Sequence, residues 1–149
     1  MSRAPFQVLV LPFRHNKGGQ LEYAVFRRRD EGYWQFIAGG GENNEKPIET
    51  ARREASEEAG ITPGSEYIIL DSRSTVPVEG VIGEFAWGKD VYVIPEYTFG
   101  VRPDSDAIDL SREHTEYRWV SYEDAVAMLQ WDSNKNALWE LNARITGKT

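Results

Sequence analysis

Three carboxylates, Glu54, Glu57 and Glu58, stand at i, i+3 and i+4 in the stretch PIETARREASEEAGI. At 3.6 residues per turn that spacing gathers all three on one stripe of a helix. Like charges so placed repel one another and work against the helix unless a cation offsets them. Hard oxygen donors suit Mg²⁺ or Mn²⁺, and the chain has no cysteine to suggest a softer metal. The alternative is a solvated acidic face, the commoner setting for a single Glu-Glu pair. A basic run, Arg27, Arg28 and Arg29, lies ahead of this stretch. It is either plain solvated charge, or Arg28 or Arg29 offers its planar fork of donors to a phosphate.

The elements that must position these groups are legible around them. Pro47 suits a first helical turn, where its missing N–H would have no partner. Gly60 suits the residue just past a helix end, where a left-handed backbone is cheap only for glycine. The helix is therefore predicted from about Pro47 to about Glu58, with Ile48, Ala51, Ala55 and Ala59 as a separate inward stripe. Ahead of it, Trp34 to Ala38 reads as a short strand feeding the glycine turn at Gly39. Strand side chains alternate, so only one of Trp34 and Gln35 is expected to meet a ligand. Trp34 offers a flat face or a core filler, and Gln35 offers a donor and an acceptor.

Gly39, Glu45, Arg53, Glu54, Ala55, Glu57, Glu58, Gly60 and Ile61 fit the pattern G-x5-E-x7-R-E-U-x-E-E-x-G-U, with U apolar. The stretch resembles the signature of the Nudix hydrolase superfamily. A chance match at one position is on the order of one in a billion at average residue frequencies. The resemblance implies an α/β fold, an α/β/α sandwich with a mixed sheet. It also implies hydrolysis of a diphosphate linked to another moiety, with Mg²⁺ or Mn²⁺ as cofactor. Carried over by position, Glu54, Glu57 and Glu58 become metal ligands, the Gly39 carbonyl adds another, and Arg53 with Glu45 forms a supporting ion pair. Ala38 stands where many members have proline. Asn44 stands where many have glycine, and Asn tolerates a left-handed backbone.

Outside that stretch, Glu113 in EHTEYRW is the candidate for a further ligand or general base, against the reading of a solvated loop acid. His114 beside it reads as structural or solvated. A narrower resemblance runs through RRRDEGYWQ, EHTEYRWV and SNKNAL, which are similar to segments of the bacterial dihydroneopterin triphosphate pyrophosphatases of folate synthesis. It implies a pterin triphosphate substrate cleaved to a monophosphate and pyrophosphate. Another nucleotide substrate and a non-catalytic ligand sensor are the alternatives. Ser133 and Asn134 open the last helix, whose N–H groups favour an anion or a ring carbonyl.

Strands are predicted at Phe6–Phe13, Leu21–Arg28, Glu66–Val76, Val91–Phe99 and Glu116–Val120. Pro95 places its strand at an edge or a bulge. Glu79–Asp90 reads as a glycine-rich loop with one short extended piece, and the polar segment after Phe99 as irregular. Ser121 is predicted to cap a helix running to about Gln130. Asp132 or Ser133 caps the next, with Leu138, Leu141 and Ile145 as its stripe. The 149 residues fit one domain, 1–149, with a core of its own. A net charge of −7 disfavours nucleic acid and anionic membranes as partners, but not a small phosphate ester met by a bound cation. The absence of cysteine, of a signal-like N-terminus and of a long apolar run fits a cytoplasmic protein.

Overall fold

Alternation along the first strand sorts the core into two halves. In β1 (Arg3–His15), Leu9, Leu11 and Phe13 face one way, and Val8 and Val10 face the other. The first set packs with Tyr23, Val25 and Phe36 against Ala125, Ala137, Leu138 and Leu141 of the two C-terminal helices and Leu129 between them. The second packs with Ala24, Phe26, Phe99 and Val101 against Ala51, Ala55 and Ala59 of the acidic helix. Each large aliphatic side chain so buried contributes roughly 1.5–3 kcal/mol. The computed structural model describes residues 2–82 and 85–147, and it is a three-layer α/β/α sandwich.

The remaining elements are β2 (Leu21–Arg28), β3 (Trp34–Gln35), β4 (Ile37–Glu42), α1 (Pro47–Ala59), β5 (Glu66–Pro77), α2 (Glu79–Ile82), β6 (Val93–Arg102), β7 (His114–Val120), α3 (Tyr122–Met128) and α4 (Asp132–Thr146). The sheet runs β3-β2-β1-β6-β5, with β4 also on β1 and β7 also on β2. Strand β1 is long enough to serve three neighbours in turn. Its early residues pair antiparallel with β4, Gln7 to Pro12 pair parallel with β6, and Phe13 to His15 pair antiparallel with β2. The sheet is therefore mixed, as the family resemblance implied. Among the described residues, no helix is long and apolar enough to cross a membrane.

Several expectations need correction. Strand β6 is interior rather than an edge, but Pro95 lies just before the β1 ladder begins at Glu96, where one side of β6 is still open. The expected loop at Glu79 opens with a helical turn, because buried Val78 anchors it and accepts the Val81 N–H at 3.0 Å; residues 83 and 84 lie outside the described residues. Helix α3 is capped by Ser121 as expected, its hydroxyl accepting the Asp124 N–H at 3.1 Å. Helix α4 begins one residue earlier than predicted, with Trp131 rather than Asp132 or Ser133 at the capping position. In the turn before α1 the left-handed residue is Asn43, at φ 54°, rather than Asn44; its N–H and side chain hold Ser2.

Glu140 locks α4 to the edge strand β5. Its carboxylate accepts the backbone N–H groups of Asp71 and Ser72 at 2.8 and 2.7 Å, the Ser72 hydroxyl at 2.6 Å and Arg144 Nε at 2.7 Å. Burial alone would raise this carboxyl, but the donated bonds outweigh burial and hold it at about 2. A depressed carboxyl contributes stability above its unfolded value and loses it as pH falls through the folded one. Glu140→Gln is expected to cost about 1–2 kcal/mol at neutral pH, since one charge-assisted network is broken at a partly solvated site. The difference from wild type should shrink as pH falls from about 4.5 to about 2. Urea melts at a series of pH values measure it, and a pH-independent difference would contradict the assignment.

Candidate active site

Helix α1 is tied to the loop before it by one guanidinium. Arg53 Nε and Nη2 donate to the two oxygens of Glu45 at 2.8 and 3.0 Å. Nη2 also donates to the Gly40 carbonyl at 2.8 Å, and Nη1 to Glu54 at 2.9 Å and Glu57 at 3.3 Å. Glu45 in turn accepts the Glu42 N–H and the Thr50 hydroxyl, both at 2.9 Å. The Arg53 bonds, with those further donors, overcome burial and hold the Glu45 carboxyl at about 2. The pair inferred from position is thus in place, and it fixes the glycine turn against the helix. At the far end Gly60 takes φ 68° and closes α1, as a left-handed cap requires.

The three glutamates of α1 have different surroundings. Glu54 lies against Gly39 so closely that a Cβ there would occupy the space of its carboxylate. Glu58 is 3% exposed, and neither of its oxygens meets a hydrogen-bond donor. Burial pushes its carboxyl well above the usual range, the neighbouring Glu54 and Glu113 push further, and Arg28 opposes them. Glu57 is more than half exposed and leans back on Arg53. Among the described residues, no three acidic or histidine side chains converge closely enough to hold an ion as they stand. Glu54 and Glu58 nevertheless fit a hard divalent cation. They are oxygen donors on one helical stripe, and one of them is buried with no donor to satisfy it.

Glu113 precedes β7, where its carbonyl accepts the Arg29 N–H at 2.8 Å. Its side chain is exposed, and its charge is felt by both Glu58 and Arg28. His114 is buried against Phe26, with ring centroids 5.4 Å apart, and its Nδ1 is 3.9 Å from Glu58. Burial, with Arg28 nearby, lowers it to about 4, so it is a neutral wall rather than a counter-charge.

A cavity of about 530 Å³ opens beside the cluster. Of the residues singled out in the sequence, Arg28, Gln35, Gly39, Ser133 and Asn134 line it. Two others are turned elsewhere. Trp34 stacks under Arg118 at 5.1 Å and packs toward α3 and α4, because strand alternation points Gln35 into the cavity instead. Arg29 Nε is bonded to the Arg112 carbonyl at 2.7 Å and is not part of the wall. Asn134 has a scaffolding bond as well, accepting the Phe36 N–H at 2.9 Å. The sequence reading missed Tyr33 and Trp131, which meet edge to face at 5.4 Å on the cavity wall. It also missed Gln7, Ser74 and Glu96. Nothing in a single strand marks Gln7 or Ser74, whereas Glu96 is a charged residue among mostly apolar neighbours, a rare setting for glutamate.

Comparison with known proteins decides the family. The NUDIX domain model matches residues 5–140. The chain belongs to the NUDIX family. It is a Nudix-type hydrolase acting on phosphoric anhydride bonds. It is 35% identical to the asymmetrical bis(5'-nucleosyl)-tetraphosphatase of Sus scrofa over 72% of this chain and 69% of that one. It is 27% identical to the dihydroneopterin triphosphate diphosphatase of Haemophilus influenzae over 75% and 72%. A solved Listeria monocytogenes protein assigned as a NUDIX hydrolase is 42% identical, with TM-score 0.86, covering 97% of this chain and 96% of that one. The narrower likeness to the pterin enzymes is thus shared with enzymes of other substrates.

Two substitutions test the site. Gly39→Ala forces Glu54 aside and is expected to lower turnover by at least roughly a hundredfold, the scale of losing one preorganised electrostatic group. Glu58→Gln is expected to lower turnover as much while the metal-free protein melts at the same or a higher temperature, since a buried acid whose ionisation burial opposes is replaced by a neutral group of the same shape. Steady-state kinetics and thermal melts on the same samples check both. Wild-type turnover in Glu58→Gln would take this carboxylate out of the mechanism.

Proposed function

We propose that the protein cleaves the diphosphate linkage of a triphosphate carrying a flat heterocycle. Dihydroneopterin triphosphate, yielding a monophosphate and pyrophosphate, is the first substrate to test. The observation that carries this reading is that Gly39 both lines the cavity and carries the Glu54 carboxylate on its backbone. A ring held in the cavity thereby leads its phosphates to the acidic stripe.

Glu54 and Glu58, with Glu57 able to rotate toward them, are the ligands this reading assigns to Mg²⁺ or Mn²⁺. The ion supplies positive charge for the phosphate oxygens and Lewis acidity toward water. The chain's own residues do the rest. Arg53 holds Glu54 and the glycine turn in one geometry, so little reorganisation is needed at the moment of reaction. Arg28 on the cavity wall is placed for the phosphate tail, although Asp30 shares its guanidinium at 2.9 Å. Glu113, near Glu58 and Arg28, is the base candidate that accepts a proton from the attacking water.

A second reading, hydrolysis of a dinucleoside polyphosphate, is favoured by the 35% identity to the tetraphosphatase and by the Tyr33–Trp131 pair. Trp131 is 45% exposed and offers a second base a face to stack on. A substrate panel with Mg²⁺, resolved by chromatography, separates the two. Pyrophosphate with a monophosphate product is expected, and release of single phosphate would refute the reaction. A clear preference for the dinucleotide would move the assignment to the second reading. Glu113→Gln is expected to lower kcat with KM held, and an unchanged kcat would remove it as base.

A further inference from the structure

Four residues stand in one row across four strands. Gly40 of β4 pairs with Gln7 of β1, Gln7 with Glu96 of β6, and Glu96 with Ser74 of β5. Gln7, Glu96 and Ser74 all line the cavity. Glu96 is 5% exposed. One of its oxygens accepts Gln7 Nε2 at 3.0 Å and the other accepts the Ser74 hydroxyl at 3.0 Å. These two bonds, one on each oxygen, fix the plane of the carboxylate.

Burial pushes the Glu96 carboxyl above its ordinary range, and the bonds from Gln7 and Ser74 act against that shift. Among the described residues no cationic side chain forms an ion pair with it. A buried carboxylate satisfied only by neutral donors is costly to keep. Each ionised oxygen can accept about two hydrogen bonds, so each retains capacity after its bond to Gln7 or Ser74.

We propose that Glu96, oriented by Gln7 and Ser74, reads the ring of the substrate and selects a heterocycle of the guanine and pterin type, in which an amine and a carbonyl flank one ring N–H. Such a ring presents a ring N–H beside an exocyclic NH₂, two parallel donors that match the two oxygens of one carboxylate. An adenine edge presents one NH₂ beside a ring nitrogen that is itself an acceptor, so one oxygen meets a lone pair. The row also supports the distance. Adjacent strands lie about 4.8 Å apart, which puts the backbone at Glu96 about 10 Å from Gly40. A ring over Glu96 therefore directs its phosphates toward the glycine turn and Glu54. The inference rests on the reading of this cavity as the heterocycle end of the substrate site.

Binding rather than turnover tests it, so that its failure is distinct from failure of the proposed reaction. Calorimetric titration of the metal-free protein with GMP, IMP and AMP compares rings that offer two donors of this kind, lack the exocyclic amine, or carry the adenine edge. GMP is expected to bind at least roughly tenfold tighter than AMP, the scale of one well-made bidentate contact, with IMP between. In Glu96→Gln the order is expected to collapse toward equal affinities. Ser74→Ala, which leaves the carboxylate but frees its plane, is expected to weaken GMP more than AMP. Melting temperatures identify any variant that has lost its fold, and Ser74→Ala then stands as the test. Equal or adenine-favouring affinity in the wild type, no measurable GMP binding, or a guanine preference that survives in a folded Glu96→Gln each overturns the inference. Hydrolysis is scored separately: a protein that binds GMP selectively yet cleaves no triphosphate would keep this inference and lose the proposed reaction.

Discussion

Carboxylates crowded on one helix face repel, and the structure of this protein depends on how that repulsion is met. Arg53 meets most of it by hydrogen-bonding four partners at once. It neutralises Glu45, restrains Glu54 and Glu57, and closes on the Gly40 carbonyl. Lysine could not replace it, because a point charge cannot span a bidentate carboxylate and a carbonyl in one plane. The same contacts join α1 to β4, and so tie the acidic stripe to the glycine turn on the cavity wall. Glu58 is the exception. It makes no bond to Arg53, lies buried beside a neutral His114 with no donor on either oxygen, and has its carboxyl pushed up by burial.

The glycine turn passes that local arrangement on to the rest of the sheet. Gly39 has no side chain, which lets Glu54 lie on its backbone, and the same residue lines the cavity. Strand β1 then extends the geometry sideways. Its antiparallel pairing with β4 and parallel pairing with β6 put Gln7 between Gly40 and Glu96. The register is held by burial, since a slip of one residue would exchange Leu9 and Leu11 with Val8 and Val10 between two cores. The chemistry at one end of the row and the polar triad further along it are therefore positioned by the same hydrophobic alternation.

Around this centre the two outer layers differ in character. Helix α1 packs through alanines, which allows its backbone close to the sheet and keeps its polar stripe next to β4. Helix α4 packs through Leu138 and Leu141, and α3 through Ala125 with Leu129 just past its end. Two polar locks hold α4 at its margin, Tyr23 to Asn142 at 2.8 Å and Glu140 to β5. The N-terminal turn of α4 reaches the cavity, where Asn134 bonds Phe36 and so couples that helix to the strand leading into the glycine turn.

What the sequence by itself determined is what local spacing determines. Helical period puts Glu54, Glu57 and Glu58 on one stripe whatever surrounds them, and Pro47 and Gly60 bound that helix through their own backbone preferences. The same short stretch carries the family likeness, and with it the mixed sheet and the layer order that periodicity did not choose. The tertiary structure alone decided which residue of an alternating pair faces the cavity, Gln35 and not Trp34. It set Glu57 apart from Glu54 and Glu58, and drew Arg29 away to the Arg112 carbonyl. It alone assembled Gln7, Glu96 and Ser74, from positions 89 and 22 residues apart in the chain. The physical reason is that helix neighbours are fixed by chain geometry within a turn. Strand neighbours are chosen by which register buries the most apolar surface across the whole sheet.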